Sequence, residues 1–246
     1  MTAMNTIEIV FAPNDEFIPS DFLNYLGNIN KSLDKPSAYQ IKKWKSRRMA
    51  YFLLHQLFEK YHLDKSLLTH IVKTESGRPY IEHSEIDFNI SHSGDWVAII
   101  FSYQSPKKVV GIDIEHPQKM RRFNDLLHYY ASEQEIAEIN NHHLFSELSS
   151  LESRFYLSWC LREAVLKSQG AGIIKLSEVT HSLSKQQITT AYSPTGKLCF
   201  YHQLPFYLAY FFEHTQAMLS LPKLSQWKNG DYISFDHLHP IIYQVN

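Results

Sequence analysis

Between Val110 and Glu115 the chain reads Val-Gly-Ile-Asp-Ile-Glu, two carboxylates alternating with branched apolar residues directly after a glycine. Alternation at period two marks a strand with one apolar and one polar face. Asp113 and Glu115 therefore project from the same face, roughly 7 Å apart, while Ile112 and Ile114 enter a core. Two hard oxygen donors on one strand, closed by Pro117, make a half-site for Mg²⁺, which takes one or two carboxylates and completes its octahedron with water and phosphate. Two solvated acids on an edge strand would look the same, so the rest of the chain must decide.

The 246 residues are 44% hydrophobic, enough for a large core. A net charge of −1 gives no bulk attraction to nucleic acid or to an anionic membrane. No run approaches the ~18 apolar residues of a membrane span. The N-terminal stretch lacks the basic and apolar regions of a signal peptide. Cys160 and Cys199 fit neither a metal spacing nor a disulfide framework. A cytoplasmic location is expected.

Thr6–Phe11 alternates as an opening strand, and a helix and loop are expected within 20–36. Apolar spacing predicts a long helix over about 38–61, whose first part carries Lys42, Lys43, Lys45, Arg47 and Arg48. That basic edge is either a solvated face or an anion site, since arginine offers phosphate a bidentate fork. A short strand at 71–74 and a turn displaying Arg78 before Pro79 lead to a β-hairpin over 86–101 with Ser91 and His92 near its tip. The 109–115 strand should pair antiparallel with that hairpin.

Ser132 with Glu135 reads as a capping box, and so does Ser149 with Glu152, which opens a helix running to about Gly170. On that helix Glu163 and Lys167 stand four residues apart, as a surface ion pair would. Strands are expected at 188–192, 198–202, 207–213 and 217–221. The tail, 223–246, shows little periodicity. The inventory predicts two intimately packed α+β halves, residues 1–108 and 109–246, each a small antiparallel sheet with a long helix.

Taken in order, Ser76-Gly77-Arg78-Pro79, Asn89-Ile90-Ser91-His92-Ser93, Gly111-Ile112-Asp113-Ile114-Glu115 and Trp159 to Lys167 resemble the 4′-phosphopantetheinyl transferases of the monomeric surfactin-synthetase-activating (Sfp-like) type. The resemblance covers about residues 40–175. It implies a Mg²⁺-dependent enzyme that transfers phosphopantetheine from coenzyme A to a serine of an apo acyl or peptidyl carrier protein, with the site in the cleft between the halves. It further implies Asp113, Glu115 and a third acid, Glu135 or Glu133, as metal ligands. Glu163 is then the general base and Lys167 a phosphate contact. Arg47 or Arg48, Arg78 with Pro79, Ser91 with His92, and Arg162 with Lys167 would bind coenzyme A. Arg162 stands where the family has lysine. The alternatives are a non-catalytic relative that binds coenzyme A or carrier protein, and a Mg²⁺-dependent phosphohydrolase.

Overall fold

The computed structural model describes residues 6–20, 22, 36–141, 143, 146–214 and 221–246. Helix α1 (Ala38–Lys60) starts at a capping box: Ser37 Oγ accepts from the Gln40 amide at 3.2 Å, and Gln40 Oε1 accepts from the Ser37 amide at 2.8 Å. Its Met49, Phe52, Leu53, Leu57 and Phe58 are buried against the first sheet.

That sheet contains β1 (Thr6–Pro13), β4 (Ile86–Ser93) and β5 (Trp96–Tyr103), with β11 (Lys223–Lys228) and β12 (Asp231–Ser234), in the order β12-β11-β1-β5-β4. Between α1 and β4, β2 (Val72–Lys73) and β3 (Pro79–Tyr80) form a separate two-stranded hairpin. The second sheet runs β6-β10-β9-β13-β8-β7, built from β6 (Val110–Glu115), β7 (Thr180–Ser182), β8 (Gln187–Thr189), β9 (Gly196–Tyr201), β10 (Tyr207–Glu213) and β13 (Ile241–Val245). The short α2 (Phe123–Leu127), α3 (Glu133–Asn140) and the long α4 (Leu151–Ser168) cover its outer face.

The layers run α1, sheet, sheet, α4. Along β5, Val97, Ile99 and Phe101 face α1, whereas Ala98 and Ile100 join Ile9, Phe11, Ile112, Ile114, Leu208 and Tyr210 in a core shared by the two sheets. A strand buried on both faces carries no polar alternation, which is why β5 is continuously apolar from Trp96 to Phe101.

Three expectations need correction. β6 does not extend the first hairpin; it pairs antiparallel with β10, from Tyr207 opposite Glu115 to Phe212 opposite Val110. Ser150, not Ser149, caps α4, accepting from the Ser153 amide at 3.0 Å, because the helix begins one residue later than the Ser-x-x-Glu pattern suggested. The tail is not irregular: β11 lies parallel to β1, and β13 pairs with both β9 and β8. Apart from positions 20, 22, 36 and 221, the helix and loop expected at 20–36 and the strand expected at 217–221 lie outside the described residues. Among the described residues no helix is long and apolar enough to cross a membrane.

Candidate active site

The two sheets meet at a seam that sequence reasoning missed. Polar side chains at every second position of β4 accept hydrogen bonds from every second amide of β6 and the residue after it. Asp87 Oδ2 takes Val110 N–H at 3.0 Å, Asn89 Oδ1 takes Ile112 at 3.0 Å, Ser91 Oγ takes Ile114 at 3.2 Å and Ser93 Oγ takes His116 at 3.1 Å. An edge strand needs partners for its amides, and here side chains provide them. The signal was legible: Asp87, Asn89, Ser91 and Ser93 repeat at the same period two as Asp113 and Glu115.

Ser93 Oγ also donates to Glu115 at 2.9 Å, and Ser91 Oγ to Asp113 Oδ1 at 3.1 Å. Lys167, from α4, reaches Asp113 Oδ1 at 2.5 Å and Ser91 Oγ at 3.2 Å, and stands 3.8 Å from Glu163. One hydroxyl, that of Ser91, thus uses its proton and both lone pairs to join the halves to the acid–lysine cluster. The close approach of α4 to β6 depends on Gly111, where a Cβ would stand 2.1 Å from the Ala164 carbonyl oxygen.

Burial lifts the Glu163 carboxyl, Lys167 opposes, and Asp113 and Glu115 add to the rise, leaving it at about 7. Burial, then Asp113, raises Glu115. Burial alone would lower Lys167, but Asp113 and Glu163 outweigh it and raise its pKa. Asp113 Oδ2 and Glu163 Oε1 are buried without a hydrogen-bond partner. Oxygen-only donors with bare lone pairs suit a hard divalent cation. No three His, Cys, Asp or Glu among the described residues already converge as a ligand set.

On the other side of β4 lies a cavity of about 320 Å³, with Leu54, Phe88 and Ile90 in its wall and Lys43, Arg47 and His92 among its polar lining. Lys43, Arg47, Ala50 and Leu54 share one helical face, which selects Arg47. Arg48, about 100° further round, packs its guanidinium on the Trp44 ring and lines a different pocket with Asn14 and Glu16. Pro79 lines the cavity, as does Gly77. Arg78 is committed elsewhere: it donates to both Asp87 oxygens at 2.9 Å and to the Phe88 carbonyl at 3.2 Å, tying the β2–β3 turn to the seam. Desolvation, then Lys167 and Lys43, lowers the pKa of His92.

Two expected ligand contacts are also bound up in the fold. Glu135 is 2% exposed and does not join Asp113 and Glu115; it accepts from both terminal nitrogens of Arg162, from Ser158 Oγ at 2.8 Å and from His181 Nδ1 at 3.2 Å. Its amide does bond the Ser132 cap, but its side chain turns inward instead of closing the box. Arg162, 1% exposed, spends its guanidinium on Glu135, Ser158 and the Leu176 carbonyl and so has no route to the cavity. Glu133 is 90% exposed beside His128. The third carboxylate facing Asp113 and Glu115 is Glu163.

A family model described as the 4′-phosphopantetheinyl transferase superfamily matches residues 109–218. A protein of Haemophilus influenzae named "Putative 4′-phosphopantetheinyl transferase" is 42% identical over 234 residues, spanning 94% of this chain and 92% of its own. The 4′-phosphopantetheinyl transferase Sfp of Bacillus subtilis is 31% identical over 114 residues, 46% of each chain. A phosphopantetheinyl transferase of Thraustochytrium is 32% identical over 111 residues, 41% of this chain and 38% of that one.

Proposed function

This chain belongs to the 4′-phosphopantetheinyl transferase superfamily, and on that footing we propose that it moves phosphopantetheine from coenzyme A to a serine of an apo acyl or peptidyl carrier protein, with Mg²⁺ as the working cation. One juxtaposition supports this most: adjacent residues of β4 serve the two sites, Ser91 meeting Asp113 and Lys167 while His92 lines the cavity. A molecule with a purine and a distal phosphate at one end and a pyrophosphate in the middle fits that layout.

The apolar wall takes the adenine, and Lys43, Arg47 and His92 take the 3′-phosphate. Asp113 and Glu115 would hold the cation, which when bound there offsets the charge of the pyrophosphate oxygens. The serine oxygen bonds to the phosphorus on the pantetheine side, the bond from that phosphorus to 3′,5′-ADP breaks, and Glu163 Oε1 accepts the serine proton. General-base help of this kind is worth roughly 10²–10⁴-fold. Lys167 turns its ammonium to the leaving ADP. Arg121, close enough to act on Glu115, and the exposed Arg122 follow β6 and would present a basic edge to an acidic carrier.

The cavity assignment gives a pH signature. His92 has a lowered pKa in the free protein, and a phosphate dianion beside it raises that pKa, so binding takes up a proton. Affinity for coenzyme A should therefore rise as pH falls from about 8 to about 6, below which the phosphate itself protonates. Dephospho-coenzyme A should bind at least tenfold more weakly and without that slope. Calorimetry across this range, with His92→Ala as control, checks it: the variant should lose the slope and narrow the gap. An equal slope for both ligands would remove His92 from the phosphate.

A further inference from the structure

α4 faces an unusual difficulty. Of its 18 residues, Ser153 to Ser158, Cys160 to Leu166 and Ser168 are buried, and only Leu151, Glu152, Trp159 and Lys167 are partly exposed. So narrow a partly exposed stripe selects the helix's rotation about its own axis only weakly. Yet Glu163 and Lys167 must point at Asp113 on β6. A rotation of about 20° would carry the Glu163 carboxylate, some 6–7 Å off the axis, by roughly 2 Å.

The helix is held from two sides. Toward β6 the contact is steric, Gly111 against the Ala164 carbonyl. Away from β6 it is ionic. Arg162, the residue before Glu163, grips both oxygens of Glu135 on α3, while its Nε donates to the Leu176 carbonyl at 3.2 Å and its guanidinium lies 4.8 Å from the Tyr130 ring centroid. Ser158, one turn earlier on α4, donates to the same carboxylate. His181 on β7 meets Glu135 from a third direction. The Glu135 carboxyl is held down at about 2: burial would raise it, but His181 and Arg162 overcome that.

We propose that Glu135 and Arg162 are positioning residues for phosphopantetheinyl transfer, a directional buried ion pair that sets the rotation of α4 and so aims Glu163 and Lys167 at Asp113. This rests on the transfer reaction proposed above. It differs from a ligand role for either residue, since both are almost fully buried and neither lines the cavity. A buried ion pair is weak evidence for stability, because apolar replacements of similar volume often do as well or better. Its directionality is what an apolar pair cannot copy.

That contrast supplies the test. The double variant Glu135→Leu with Arg162→Met should melt at or above the wild-type temperature. Its kcat should fall at least ~30-fold, as misplacement of reacting groups by about 1 Å or more predicts, with KM for coenzyme A within about threefold. Near-UV circular dichroism should change at Trp159, which rides on α4. Arg162→Lys, retaining one contact, should recover part of kcat. A folded double variant with kcat within twofold of wild type would overturn the proposal. So would Arg162→Met raising only KM for coenzyme A. If the double variant fails to fold, Glu135→Gln keeps the packing and should still lower kcat several-fold at an unchanged cation requirement; wild-type kcat there would refute it. An inactive wild type, by contrast, would count against the transfer reaction and not against the pair.

Discussion

Asp113→Ala should transfer at about one-thousandth of the wild-type rate or less, in a protein that still folds. Asp113 is 3% exposed and stands among the like charges of Glu115 and Glu163, so its removal relieves repulsion at the same time as it frees Lys167. Lys167 is 31% exposed and can be hydrated, which limits the cost of losing its partner. Stability should therefore shift little. The reaction loses more. On the proposed reading Asp113 both holds the cation and orients Lys167, and a loss of about 4 kcal/mol of charge stabilisation corresponds to three orders of magnitude. Single-turnover rates over a Mg²⁺ series, beside a thermal melt, provide the check. Full activity at sub-millimolar Mg²⁺ would take Asp113 out of the cation site.

Gly111→Ala should damage fold and activity together. The added methyl would lie 2.1 Å from the Ala164 carbonyl oxygen and 2.9 Å from both the backbone nitrogen and the Cβ of Ser168. Two of those obstacles are backbone, so no rotamer change relieves the clash. Either β6 or α4 must retreat, yet β6 is tied to β10 on one edge and to the seam on the other. Overpacking of this kind costs about 1–3 kcal/mol, and Tm should drop by roughly 5–10 °C for a chain of this size. Asp113 sits on the strand and Glu163 and Lys167 on the helix, so the same displacement should lower kcat about 10²-fold. Unchanged Tm and kcat would show that the helix approaches elsewhere.

Features written at short range were legible in the residues. Period-two alternation put Asp113 and Glu115 on one face of a strand, and β6 has that form. Period 3.6 located α1 within a residue of its ends. The misreadings concern side chains whose partners are distant. Glu135 fits a capping box locally, but its carboxylate is claimed by Arg162, 27 positions away on another helix. Arg78 lies in an exposed-looking turn, yet Asp87 draws its guanidinium into the seam. The tail strands were illegible because each is short and finds its register only against strands formed far earlier, as Lys223 does opposite Glu8. Helical phase could have chosen Arg47 over Arg48 from the sequence, since Lys43, Arg47, Ala50 and Leu54 recur at the spacing of one face.

The most direct test of transfer is the mass of an apo carrier protein after incubation with the full chain, coenzyme A and Mg²⁺. The carrier should gain the phosphopantetheine arm on its serine, with one 3′,5′-ADP released per carrier modified, and omission of Mg²⁺ or substitution of Asp113 should stop both. Coenzyme A cleaved while the carrier stays unmodified would contradict transfer, leaving a phosphohydrolase in place of a transferase.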